Sequence, residues 1–286
     1  MGMDFLLRAA APLNEGQWAE LDHAVRDMVR RQVVGRRFLN LYGPLGPQVQ
    51  VIPTDRSPGF DVGQVDMVGP LDDPVALAGR IYQKVPMLHK DFILYWRDLE
   101  ESGHTGLPMD WSMAQAAAGF VARSEDNLIL HGDDTFHIEG LTTVNGRHVL
   151  ETQGWEAPSS GYQDVVDAVA HLSSAGFYPP FTVVVGTRGF ALWHRLYGNS
   201  GVLEIDQIRK LADGGVFVTP LMPDETLLVL AAGPENMDIA VGIDVTVAFL
   251  ESSAMNHAFR VLETLTLRIK RPGAICHFIK AVPVLQ

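Results

Sequence analysis

The sequence predicts an α+β protein whose helices and strands form intertwined lobes of one unit. Helical apolar spacing recurs through the first 213 residues, and the rest of the chain reads mostly as strands. Neither an internal repeat nor a low-complexity linker divides the 286 residues. A chain of this length can bury most of its unfolded surface without disulfides.

The first predicted element is a helix over 15–34. Asn14 and Gln17 have capping-box spacing, so the Asn14 side chain can accept a hydrogen bond from an unpaired amide of the first turn. Apolar residues then follow helical spacing up to Gly35, which is predicted to stop the helix in a left-handed conformation. The apolar stripe is one-sided, so we expect this helix to dock onto another element.

An extended two-stranded arm is predicted over 42–74. This stretch is rich in Gly, Pro and Asp, is too long for a tight connection and is too apolar for a disordered linker. Its apolar residues have few local partners, so we expect them to be buried by strand pairing with a neighbouring subunit. These residues are Val49, Val51, Ile52 and Val62.

The middle of the chain is predicted to hold one strand and one long helix. Residues 80–98 contain runs of aromatic and β-branched residues, which are typical of a strand. A helix over 111–131 follows, capped by Asp110 and ended by Gly132, with several alanines that allow close packing. Residues 132–160 are predicted to be a loop region.

A β/α stretch comes next and gives way to strands. Val183 lies in a continuous apolar run, as expected of a strand covered on both faces. Helices are predicted over 161–175, 187–197 and 203–213, and strands over 181–186, 216–222, 226–232, 238–250 and 258–270.

Composition limits the possible partners and the compartment. The chain is 47% apolar with a formal net charge of −12, and such an acidic surface disfavours binding to nucleic acid or to an anionic membrane. Cys276 is the single cysteine, which excludes an intrachain disulfide and fits a reducing compartment. No membrane-length apolar run or secretory signal is visible. We therefore expect a soluble cytoplasmic protein.

A search for catalytic motifs finds one candidate cluster. Two imidazoles and three carboxylates lie between His131 and Glu139, and such groups can hold a divalent ion. The spacing matches no ligand pattern, and a polar loop after a helix would look the same. Ser200 lacks the nucleophile-elbow motif, and no phosphate-binding glycine loop is present. We predict no catalytic residue, no metal and no cofactor; the alternative is a metal-dependent hydrolase or protease using this cluster.

Short segments along nearly the whole chain resemble the encapsulins, the bacterial nanocompartment shell proteins once described as linocin-type bacteriocins. The Tyr-Gly-Pro-Leu-Gly and Met-Asn-His-Ala-Phe-Arg-Val-Leu-Glu pieces are most similar to the myxobacterial, iron-storing kind. The segments that carry the resemblance are 4–6, 11–13, 17–18, 35–38, 43–46, 90–92, 96–98, 125–126, 140–141, 235–238 and 260–263, with Pro272.

The resemblance implies the fold of the major capsid proteins of tailed phages, with a peripheral domain, an axial domain and an extended loop. The implied divisions are an N-terminal lumen-facing helix and first strand over 1–46, the extended loop over 47–80, the peripheral domain with its spine helix over 81–134, the axial domain over 135–230, and a return to the peripheral domain over 231–286.

The implied function is structural. Encapsulin chains self-assemble into an icosahedral homo-oligomer, here of triangulation number one or three, and enclose a cargo protein that carries a C-terminal targeting peptide. The cargo implied here is a ferritin-like iron-oxidising protein, for iron storage and protection against oxidative stress, or a peroxidase. The resemblance implies no nucleic acid and no membrane as partners. Because related sequences have been labelled proteases or bacteriocins, those activities are a further alternative.

Two sites follow from the resemblance. The Met/Val edge of helix 15–34 faces alternate residues of strand 238–250, which predicts a groove for the cargo peptide. Its residues are Met28, Val29, Val33, Arg36, Asn40, Val245 and Val247. The second site is a loop of small polar residues at the tip of the axial domain, predicted to line a five-fold pore. Its residues are Tyr197, Gly198, Asn199, Ser200, Gly201 and Val202.

Overall fold

Helices and strands are interleaved along the whole chain in the computed structural model, which describes residues 5–57, 63, 65–68, 75–106, 108–152 and 154–280. The helices are α1 (Glu15–Gln32), α2 (Trp96–Thr105), α3 (Ser112–His131), α4 (Ser160–Ser174), α5 (Thr187–Leu192) and α6 (Glu204–Leu211). The strands are β1 (Leu41–Tyr42), β2 (Val51–Arg56), β3 (Gly79–Lys84), β4 (Met87–Leu94), β5 (Gly132–Asp133), β6 (Ile138–Glu139), β7 (His148–Thr152), β8 (Phe181–Val185), β9 (Gly215–Val218), β10 (Leu227–Ala231), β11 (Met237–Ser253), β12 (Asn256–Ile269) and β13 (Ile275–Lys280). None of the described helices combines the length and the apolar character that crossing a membrane requires.

A four-stranded sheet in the order β1-β11-β12-β4 forms the first lobe. Its centre is the long antiparallel hairpin of β11 and β12, which turns at Ala254 and Met255, both at positive φ. Helices α1 and α3 cover one face of this sheet, and they pack closely because α3 presents small side chains such as Ala114 and Ala118, both 0% exposed. The predicted close packing of the long helix is confirmed.

A five-stranded sheet in the order β7-β13-β10-β8-β9 forms the second lobe. Every residue of β8 and β10 is buried, which explains their continuous apolar sequences. Two tryptophans, Trp155 and Trp193, are fully buried in this lobe with ring centroids 5.1 Å apart. The core is continuous with the first lobe, since Ile239 and Leu267 of the long hairpin belong to the same apolar cluster.

The predicted two-stranded arm exists as the antiparallel pair β2–β3. Its side chains alternate, so that Ile52 and Thr54 are buried while Val51 and Tyr82 are exposed. The expectation that a neighbouring subunit buries these apolar residues is wrong for Ile52, which is 7% exposed in the single chain and packs with Val85, Ala240, Leu45 and Val49. Val62 lies outside the described residues.

Several boundaries differ from the sequence predictions. Residues 80–98 hold most of β3, all of β4 and the start of helix α2, rather than one strand. The predicted loop over 132–160 contains β7, which pairs in parallel with the unpredicted strand β13. The predicted division places β13 in the peripheral domain, but β13 pairs within the second lobe's sheet. Parallel pairing between strands so distant in sequence leaves no local turn signal.

The end of α1 and the start of α3 also differ from the sequence predictions. Gly35 does not adopt a left-handed conformation, because α1 already ends at Gln32 with Val33 extended. The neighbourhood of Gly35 is tight instead: a Cβ there would lie 2.6 Å from Ile129 Cδ1 of α3, so a larger residue would force that buried side chain to shift. Helix α3 begins at Ser112, one residue later than predicted, and Trp111 rather than Asp110 precedes it; the Asp110 carboxylate accepts the amide hydrogen of Ser112 at 2.9 Å. The α+β class and the amphipathic helices are confirmed.

Candidate functional site

The N-terminal helix is fixed at both ends by side-chain hydrogen bonds. At its start, Asn14 and Gln17 form the predicted capping box, with the amide of Gln17 donating to Asn14 Oδ1 at 2.9 Å. At its end, Asp126 of α3 accepts the amide hydrogens of Val34 at 2.9 Å and of Gly35 at 2.8 Å. The Asp126 contacts hold the end of α1 against α3, and the apolar face of the helix packs with Val247 of β11 in one buried cluster, so the surface between α1 and β11 has a defined shape.

A groove of about 240 Å³ lies between the last two turns of α1 and strand β11. Three aliphatic side chains, Val29, Val33 and Val245, lie in it, and arginines surround them. Its charged lining residues are Arg26, Arg30, Arg36, Arg37 and Asp244. The groove therefore combines an apolar floor with a largely cationic rim.

The structure brings four of the seven predicted groove residues together: Val29, Val33, Arg36 and Val245. Val247 is close in sequence but is 0% exposed and belongs to the core beneath α1.

The two remaining predicted residues lie apart from this groove. Met28 lines a different cavity, of about 470 Å³, between α1, α3 and the segment 219–221. The side chain of Asn40 is exposed, and its backbone carbonyl accepts the amide hydrogen of Ile239.

Sequence reasoning missed the other charged residues of the rim. Arg26 and Arg30 lie on the same side of α1 as Val29, so the α1 periodicity could have identified them, whereas Arg37 follows the end of the helix and has no such signal. Asp244 adjoins a register shift between β11 and β12, and such irregularities leave no signal in the sequence of one strand.

Arg36 is held by three carboxylates. Its Nε donates to Glu125, its Nη1 to Asp244 and its Nη2 to Glu263, each at 2.7 Å. The carboxylates of Glu125 and Glu263 raise the pKa of Arg36 against the opposing effect of burial. Arg36 was predicted to line the peptide groove, and each donor that it could offer a peptide there already makes a contact with one of these carboxylates.

The predicted pore loop is an ordered turn rather than a flexible connection. The amide of Tyr197 donates to the Val202 carbonyl at 2.8 Å, and Ser200 Oγ donates to the Tyr197 carbonyl at 2.7 Å. Gly198 and Gly201 have φ of 52° and 72°, which favours glycine at both positions. Residues 198–202, at the tip of the turn, are exposed.

The alternative cluster between His131 and Glu139 does not converge on a metal. Both ring nitrogens of His131 are engaged, Nδ1 with Thr142 Oγ1 at 2.9 Å and Nε2 with the Leu221 carbonyl at 3.0 Å. Glu139 pairs with Arg56 of the arm at 2.6 Å. Among the described residues there is no group of three or more His, Cys, Asp or Glu side chains placed to hold a metal ion.

Comparison with known proteins decides the family. Residues 3–266 match the family described as "Encapsulating protein for peroxidase". The chain is also 43% identical over 274 residues to the type 1 encapsulin shell protein EncA of Myxococcus xanthus, covering 96% of both chains. The chain belongs to the encapsulin family. The predicted resemblance is confirmed, and the hydrolase alternative has no support among these encapsulin shell proteins.

Solved structures show which fold this encapsulin has. The virus-like particle of Pyrococcus furiosus superimposes with a TM-score of 0.75 at 22% identity, covering 92% of this chain and 99% of the other. The capsid of Myoviridae phage XM1 superimposes with a TM-score of 0.61 at 12% identity, covering 85% of this chain and 90% of the other. The predicted fold of tailed-phage capsid proteins is confirmed.

Proposed function

We propose that copies of this chain close into an icosahedral shell, of triangulation number one or three, around a cargo protein in the cytoplasm. The main support is the 43% identity to an encapsulin shell protein across 96% of both chains. The arm adds physical support, because Val51 and Tyr82 leave 48% and 70% of their surface exposed on one face of a two-stranded sheet. The opposite face, with Ile52, already packs on Ala240 of the same chain, so the exposed face is the one left for a second copy to cover. The role proposed is that of a container without catalytic activity.

The groove beside α1 is proposed to hold the C-terminal targeting peptide of the cargo. Its floor of Val29, Val33 and Val245 can bury two or three apolar side chains, each contributing about 1.5–3 kcal/mol. Ordering a flexible peptide opposes this gain, so one peptide binds weakly and an oligomeric cargo is retained through many copies. Arg26 and Arg30, which are exposed at the rim, offer donors to peptide carbonyl groups.

The cargo proposed first is a ferritin-like iron-oxidising protein, giving the shell a role in iron storage and protection against oxidative stress. Its support is the similarity of the Tyr-Gly-Pro-Leu-Gly and distal segments to the iron-storing myxobacterial kind. A peroxidase is the second candidate, because the description of the matching family names one. Mass spectrometry and iron analysis of shells purified from the native host distinguish the two cargoes.

The groove is tested by Val245→Asp with the cargo co-expressed. Val33 and Val247 are 2% and 0% exposed, so a charge at either position would disrupt the core and confuse the result. Val245 is only partly buried and lies on the groove floor. We expect closed but empty shells from this variant, whereas the control Val149→Asp, at an exposed position of β7, loads normally. Normal loading of the Val245→Asp shells would refute the groove.

A further inference from the structure

Two buried glutamates share one arginine where the chain leaves α1. Arg36 donates from Nε to Glu125 Oε1 and from Nη2 to Glu263 Oε2, both at 2.7 Å. The side chains of Glu125 and Glu263 are both 0% exposed. Glu125 lies on α3 and Glu263 on β12, so these contacts join the end of the N-terminal segment to the spine helix and to the sheet.

The arrangement forces the two carboxyl groups together. The Nε and Nη2 donors form one edge of the guanidinium, which ordinarily holds both oxygens of a single carboxylate. In this protein the edge holds one oxygen from each of two glutamates, and the two carboxyl groups lie within hydrogen-bond reach of each other. The remaining oxygens, Glu125 Oε2 and Glu263 Oε1, are buried and lack a hydrogen-bond donor.

The charges around Glu125 and Glu263 do not neutralise two ionised carboxylates. Asp244 of β11 takes the third donor group of Arg36, and Asp126 of α3 adds a further carboxylate whose oxygens accept backbone amides. Arg37 donates from Nη2 to the carbonyl of Arg31 at 2.7 Å. From β4, the residue opposite Glu263 is the apolar Leu88. Within the described part of the chain, Arg36 is the single cation that forms an ion pair with either glutamate.

We propose that Glu125 and Glu263 share one proton, and that this proton makes the junction between α1 and the sheet a base-labile latch. While the proton is present, one carboxyl group donates it to the other, and the ionised partner pairs with Arg36. When the proton is lost, two buried carboxylates face each other across one guanidinium. Their repulsion then weakens two contacts of α3, one with β12 and the other with the segment that follows α1.

Burial supports this assignment, since it raises the pKa of Glu125 and, together with the Glu125 charge, raises the pKa of Glu263 well above its usual range. A carboxyl group with a raised pKa in the folded protein holds a proton that the unfolded chain releases near its ordinary value. Its contribution to stability is therefore complete at low pH and is lost as the pH rises through the folded-state pKa. The latch holds in acid and opens in alkali.

Infrared difference spectroscopy detects the shared proton directly. Above the pH range in which ordinary glutamates ionise, the carbonyl stretch of a protonated carboxyl group should remain in the wild-type shell protein and be absent in Glu263→Gln. Glu125→Gln should also lose the band, because the neutral amide removes the need for the proton. Glu251→Gln, at an exposed position of β11, should keep it. The proposal would be overturned if the wild-type spectrum showed no carboxyl carbonyl band that is missing from Glu125→Gln and Glu263→Gln.

Hydrogen exchange tests the latch itself. The opening equilibrium of peptides spanning residues 30–37, corrected for intrinsic exchange, should rise by about tenfold per pH unit between the ordinary glutamate pKa and the folded-state pKa in the wild type, because opening then releases one proton, and should level off above the folded-state pKa. In Glu263→Gln the same equilibrium should be flat over that range. Equal slopes in the wild type and the variant would contradict the latch. Should Glu263→Gln fail to fold, Glu125→Gln gives the same comparison.

Discussion

The carboxylate of Asp126 closes the end of the N-terminal helix from another element: its Oδ1 accepts the amide hydrogen of Gly35 at 2.8 Å, 91 positions away in sequence. The same carboxylate accepts the amide hydrogen of Val34, so two buried backbone donors just past the end of α1 find their acceptor on α3. This contact sets the position of Val33 and Arg36, and with them the shape of the groove.

Asp126→Ala should therefore destabilise the protein by about 2–4 kcal/mol, because two buried amides lose their acceptor. Chemical denaturation followed by circular dichroism measures this change. Asp126→Asn retains one acceptor oxygen and should lose less, and Asp134→Ala, at an exposed position, should lose almost nothing. A loss in Asp126→Ala no larger than that in Asp134→Ala would show that α1 is held by its apolar face alone.

Local patterns predicted α1 well and predicted its attachments poorly. The capping box, the apolar stripe and the valine edge were readable because they depend on residues three or four positions apart. The partners of Arg36 lie between 89 and 227 positions away, and neither helical nor strand periodicity relates such residues. This is why Arg36 was predicted as a groove residue while the three carboxylates that hold it were missed.

Assembly should depend on the outward face of the arm. Tyr82→Asp should leave the subunit folded and abolish or weaken shell formation, because the exposed tyrosine is where a second copy is expected to bury the arm. Truncation of a central aromatic anchor costs an interface about 2–4 kcal/mol, and a charge adds a desolvation penalty. Sedimentation velocity measures the fraction assembled.

The matched control for this change is Tyr178→Asp. Tyr178 is 74% exposed, close to the 70% of Tyr82, but it lies in the second lobe rather than on the arm. Shells that form equally well from both variants would exclude the arm face as an assembly surface.

Traffic through the shell should respond to the turn at 197–202. Asn199→Trp is preferable to a change at Ser200, because the Ser200 hydroxyl donates to Tyr197 and accepts from Val202, which holds the turn together. A bulky ring at Asn199 should slow iron uptake into cargo-loaded shells without altering assembly, as measured by the rate of iron oxidation. Asn145→Trp, in a separate exposed loop, serves as the control. Equal uptake rates in both variants would place the entry route elsewhere.

The single thiol should be inert in the folded protein. Cys276 is 0% exposed in β13, and burial raises its pKa to about 12, so almost no thiolate is present at pH 8. An alkylating reagent should leave native protein unmodified and label one site per chain after denaturation. Rapid labelling of native protein would mean that β13 opens away from the second lobe's sheet.

The second lobe shows a different limit of sequence reasoning. Strands β8 and β10 were predictable because continuous apolar runs mark strands that are covered on both faces. Strand β7 was predicted to be loop because its sequence, His-Val-Leu-Glu-Thr, is short and partly exposed, and its pairing partner β13 begins 123 residues further on. Pairing with a distant strand, not intrinsic propensity, makes this segment a strand.

Electron microscopy of the purified protein, expressed alone, tests the central claim most directly. The account predicts closed, uniform particles with icosahedral symmetry, formed without cargo because the assembly surfaces belong to the chain itself. Class averages should show five-fold vertices with the tips of the second lobe, and the turn at Asn199, around the axis. A protein that remains a monomer or a small oligomer at every concentration tested would contradict the shell function.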